Sequence, residues 1–223
     1  MNKFWFTLIA LVIISASVGL LYLYLSFRRK EEKGLKDFFT FNINKKFLIL
    51  SASMLGISIL TYLYSFFAME STFLKAIMNS EVASWLLILG YIDWKEKIIP
   101  NTLIVTGISF WAVLSLLEIF VAHTSWQQVL FFSLIGAGVC GGILFVIALI
   151  VKSALGMGDV KMFFVIGLLY GMTNTYSILL FSVLVMAVIS IILLIAKKVT
   201  RKTAIPMAPF VAFGFLLNVL MGI

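Results

Sequence analysis

Long unbroken apolar runs constrain this chain before anything else does. Phe4–Phe27, Phe47–Phe67, Thr102–Ala122, Gln128–Val151 and Thr175–Ala196 are each about as long as a helix that crosses hydrocarbon, roughly 20 residues. Backbone polar groups in lipid must be satisfied without water, which leaves helices and closed barrels. Barrel strands alternate over about ten residues, and these runs do not alternate. Charged residues make up 12% of the chain, against about 25% in a soluble domain. The expected fold is all-α, a polytopic transmembrane helix bundle.

Weaker stretches complete a count of about eight spans. A third helix ends at Asp93 after starting somewhere in Phe73–Ala83. A short sixth runs over Val160–Gly171, and an eighth over Pro206–Met221. The first run is followed by Arg28-Arg29-Lys30 rather than a small-residue cleavage site, so it reads as a retained anchor. The expected organisation is a two-span N-terminal region, residues 1–70, with a basic loop, followed by a six-span catalytic domain, residues 71–223. Gly138 and Gly142 form a small-xxx-small pair suited to helix packing.

The basic residues set an orientation. With the loop after Asp93 in the cytoplasm, those of Arg28–Lys46, Lys95, Lys97, Lys152 and Lys197–Lys202 share that side, and only Lys3 and Lys75 fall outside. This satisfies the positive-inside rule and places both termini outside a cell's inner (plasma) membrane. It also accounts for the formal charge of +8 as a topology signal against anionic lipid. No basic–aromatic groove pattern accompanies the charges, so nucleic acid is not an expected partner. The single cysteine, Cys140, excludes an internal disulfide and a cysteine-based zinc site. His123, with no second histidine, makes no metal site.

Two acids stand out. Asp93 lies in Tyr91-Ile92-Asp93-Trp94-Lys95-Glu96-Lys97-Ile98-Ile99-Pro100-Asn101, and Asp159 in Gly156-Met157-Gly158-Asp159-Val160-Lys161. An ionisable group within a span costs about 2.5–3.5 kcal/mol on insertion scales, so its default reading is functional. Asp159 begins a helix, where unpaired N–H groups favour a carboxylate. Asp93 ends one, where the helix dipole disfavours an anion. The topology puts both at the cytoplasmic face, on helices able to be neighbours. Two carboxylates at matching depth are what acid–base hydrolysis of a peptide bond requires.

Together these residues resemble a known family. Aspartate, six residues and Pro-Asn, followed in a later span by Gly-x-Gly-Asp-x-Lys, is similar to the type IV prepilin peptidases, intramembrane aspartic proteases of the Gly-x-Gly-Asp class. Ile205-Pro206-Met207-Ala208-Pro209-Phe210 resembles the proline-bracketed segment opening the family's last helix. The likeness covers about residues 83–215. It implies that Asp93 and Asp159 are catalytic, and that Gly156 and Gly158 shape the second half of the site. Lys161, Pro100, Asn101 and Glu96 join those glycines as candidate substrate-binding residues. No metal and no cofactor are expected.

The resemblance further implies the substrate, a prepilin or pseudopilin whose short basic leader is cut at the cytoplasmic membrane boundary. Glu31, Glu32, Asp37 and Glu96 are the acids available on that face to attract such a leader. Bifunctional members carry two Cys-x-x-Cys pairs that bind zinc in a cytoplasmic segment, and they also N-methylate the product. Arg28–Lys46 has no cysteine, so protease activity alone is expected. Two close carboxylates share one proton; the ionised member activates water and the protonated one polarises the scissile carbonyl. The rival reading is a proton-coupled transporter using the same two acids.

Overall fold

In a computed structural model the described part of the protein comprises Thr7 and residues 45–150, 155–197 and 205–222. The expected first span, Phe4–Phe27, nearly all of the basic segment Arg28–Lys46, and Lys152, Lys198, Arg201 and Lys202 lie outside the described residues. What is described is helical, without a strand. Helix α1 covers Lys45–Leu63 and runs into a π turn, Tyr64–Ala68. α2 is Phe73–Glu96, α3 Asn101–Phe120, α4 Trp126–Ile150, α5 Met157–Ile195 and α6 Ala208–Met221.

Five of these, α1 with its π turn (Ser51–Ala68) and α2 to α5, are long and apolar enough to cross a membrane; α6 is a shorter apolar helix. The chain is a multi-pass membrane protein. α5 runs through two of the expected segments, Val160–Gly171 and Thr175–Ala196, as two helices joined at a kink. It is broken at Gly171, with φ 68° and ψ −171°. Only glycine adopts that conformation without a steric cost.

Local chemistry sets the helix boundaries. Lys97, at φ 54°, ends α2 in the left-handed conformation, and its N–H reaches the Asp93 carbonyl at 2.9 Å. Pro100 caps α3 in an extended conformation, φ −67° and ψ 134°. Proline has no N–H to leave unsatisfied at a helix start. Gly156 likewise caps α5 in an extended conformation, φ −73° and ψ 141°. Pro209 lies in the first turn of α6, and Gly222 closes that helix at φ 70°.

The chain divides into two units, Met1–Ser84 and Trp85–Ile223, the boundary falling within α2. In the first, Tyr62, Phe66, Ala76 and Ile77 form a buried cluster. Beside it, the Ser58 and Ser84 hydroxyls lie 2.6 Å apart, and Asn79 donates to Ser65 Oγ at 3.0 Å. Such bonds join helices where burial of apolar surface gives no drive, because lipid is as apolar as the helix face.

In the second unit, α5 packs against α3, α4 and α6. Met162, Phe163, Val165 and Ile166 of α5 are fully buried, as are Leu86 and Leu89 of α2 and Val211 and Phe215 of α6. α4 contains a π turn, Ala137–Gly141. The small-residue pair expected to pack, Gly138 and Gly142, faces open space. Gly136 and Gly141 pack instead, against the Gly167 backbone and against Phe164. The spacing of five rather than four matches the i→i+5 period of the π turn, which rotates the packing face by one residue. Cys140 is buried in the same turn, the small packed residue its setting suggested.

Candidate active site

Four helix ends meet through named contacts in the second unit. Asp93 sits in the last turn of α2, only 6% exposed. Its Oδ2 accepts a hydrogen bond from the backbone N–H of Ala208, the first residue of α6, at 3.0 Å. The unpaired N–H groups of a helix start offset the cost of placing a carboxylate at the end of α2, where that helix's own dipole opposes it. Asp159 occupies the first turn of α5, and its N–H closes on the Gly156 carbonyl at 3.0 Å. It is half-buried, and the charge of Asp93 acts on it directly. Two acids remote in the chain therefore come within electrostatic reach of each other.

The glycines around Asp159 sit where space is short. A Cβ on Gly158 would lie 2.8 Å from the Cβ of Ile99, and one on Gly156 would lie 3.0 Å from Asp159 Oδ2. The loop between α2 and α3 thus lies against the start of α5. Asn101, the first residue of α3, accepts a hydrogen bond from Lys161 Nζ at 2.8 Å. Pro100 precedes it as the cap of α3, its carbonyl accepting from the N–H of Leu103 at 3.1 Å. Glu96, the last residue of α2, is exposed.

Three participants carried no assigned role in the sequence: Ala208, Ile99 and Gly90. A Cβ on Gly90 would lie 3.1 Å from Pro209 Cα, so α2 and α6 touch backbone to backbone one turn before Asp93. The signal for Ala208 was its place between Pro206 and Pro209, which marks a helix start; a main-chain donor leaves no other trace in a sequence. Other polar residues are placed away from this end. Glu118 lies in the last turn of α3, and His123 follows in the connection to α4. Among the described residues no group of three or more histidines, cysteines or acids is arranged to hold a metal.

Two carboxylates in mutual reach, one enclosed and hydrogen-bonded, the other in a glycine-opened turn with partial access to water, suit general acid–base chemistry on a water molecule. Comparison with known proteins agrees with that chemistry. A prepilin leader peptidase/N-methyltransferase of Bacillus subtilis (strain 168) is 30% identical over 139 residues, which are 62% of this chain and 53% of that protein. The chain thus spans about half the length of the curated relative it matches. No solved structure matches it significantly. The model of the type IV leader peptidase family matches residues 81–191, a stretch that includes both aspartates and the connection between them, and the chain belongs to that family.

Proposed function

We propose that this protein is a membrane aspartic endopeptidase that removes the short basic leader of type IV prepilins or pseudopilins, with Asp93 and Asp159 as the catalytic pair. The observation that carries this reading is the approach of those two acids at the adjoining ends of α2 and α5, in a chain of the leader peptidase family. The Bacillus subtilis relative's name supports the substrate class. The positive-inside bias supports a site at the cytoplasmic face, with both termini outside.

The pair holds one proton between its two members, because like charges at close range in a poorly solvated site cannot both be ionised. The ionised carboxylate takes a proton from water, which attacks the scissile carbonyl. The protonated carboxyl donates to the carbonyl oxygen as it becomes tetrahedral. Collapse of that intermediate breaks the C–N bond, and a proton passes to the leaving amine. Pro100 and the two glycines shape the site, and Glu96 attracts the basic leader. The product is not N-methylated: the cysteine pairs that accompany the second activity are lacking in Arg28–Lys46.

The test is cleavage of a prepilin by the purified protein in detergent. Asp93→Asn and Asp159→Asn should each lower the rate by at least about 10³-fold, and the double variant should be no worse than either, because the residues act as a unit. Proteolysis that survives either substitution overturns the reading. Mass measurement of the mature product reports on methylation.

A further inference from the structure

Lys161 and Asn101 are 60 residues apart and joined by a 2.8 Å hydrogen bond between Nζ and Oδ1. Lys161 is two residues past Asp159, so on a helix the two side chains point to different faces. Its ammonium is directed to the start of α3. A second contact runs along the same seam, with Ile99 against Gly158. Both contacts tie the α2–α3 connection to the first turn of α5. That connection begins just after Asp93 and turns sharply at Lys97, which is left-handed. Its other end, Asn101, is the first residue of α3. A tether at Ile99 and Asn101 therefore limits how far the end of α2, with Asp93, can separate from the start of α5, with Asp159.

We propose that Lys161 and Asn101 are positioning residues: their bond is a clasp that holds the α2–α3 connection on the first turn of α5 and so sets the separation of the two aspartates. This inference rests on the proteolytic reading above and replaces direct substrate contact as the role of both residues. The three donors of an ammonium and the single amide oxygen also make the bond exchangeable. The same link forms if lysine and asparagine trade places.

A double-mutant cycle tests the clasp. Lys161→Met, Asn101→Ala, their combination, and the exchange variant Lys161→Asn with Asn101→Lys are compared for kcat, KM and thermal unfolding midpoint, in the full chain. Each single change should lower kcat roughly tenfold with little effect on KM, and the combination should fall no further than one single change. The exchange variant should recover most of the lost kcat, which a residue acting on its own with substrate would not do. Losses that multiply in the combination overturn the proposal. So does a rise in KM confined to Lys161→Met, which marks a substrate contact. The unfolding midpoints separate this inference from the proteolytic reading. Absence of cleavage by the wild-type chain overturns proteolysis, whereas additive midpoint shifts overturn the clasp itself.

Discussion

The N–H of Ala208 donates to Oδ2 of Asp93 at 3.0 Å across 115 residues of chain, and the Gly90–Pro209 contact one turn away sets how closely the two helices approach. A carboxylate at the C-terminal end of one helix is thus placed at the N-terminal end of another. The geometry fixes one of its oxygens and offsets an unfavourable dipole with a favourable one.

Gly90→Ala should therefore act on catalysis without touching either acid. The new Cβ would lie 3.1 Å from Pro209 Cα, and backbone cannot yield as a side-chain tip does. A shift of α6 by a few tenths of an ångström lengthens the Ala208–Asp93 bond. The expected result is a fall in kcat of roughly tenfold, and up to about 10²-fold for the larger Gly90→Val, with secondary structure intact by circular dichroism. Steady-state cleavage rates check this.

Gly158→Ala should be equally costly, for a different reason. Its nearest neighbour would be the Cβ of Ile99, at 2.8 Å. Trimming Ile99 to alanine leaves that atom in place, so Ile99→Ala should not restore activity to Gly158→Ala, whereas Ile99→Gly should. Rates of the two double variants decide the matter.

Gly167→Val should unfold the second unit at lower temperature. Gly136 and Gly167 bring α4 and α5 together backbone to backbone, and a Cβ on Gly167 would lie 2.6 Å from the Gly136 carbonyl. Parting the helices removes van der Waals contact, the main attraction available in lipid. A loss of about 1–3 kcal/mol is expected, typical of overpacking. It is read as a lowered thermal midpoint in detergent.

Charge reversal at Glu96, with Glu31, Glu32 and Asp37 if the single change is small, should slow cleavage of a basic-leader substrate and spare a neutral-leader one. Exposed charges interact weakly, so an effect of about two- to fivefold is expected, diminishing with salt. Equal slowing of both substrates counts against electrostatic attraction of the leader.

Much of the fold was legible because span formation is local physics. Twenty apolar residues have one outcome in lipid, and α3, α4 and α6 begin within two residues of where hydropathy put them. The break in α5 at Gly171 likewise falls at the end of an expected span. Gly138 and Gly142 do not mark the packing face of α4, because a spacing of four suits a regular helix and the chain inserts a π turn there.

What the sequence determined by itself was the solvent, the helices, and the two acids too costly to be accidental, since hydropathy and charge belong to each residue wherever it lies. Only the tertiary structure decided that Ala208 serves Asp93, that Ile99 rests on Gly158 and that Lys161 reaches Asn101. A main-chain donor or a missing Cβ has no identity in a string of letters. Its meaning comes from whichever distant segment the packed helices bring against it.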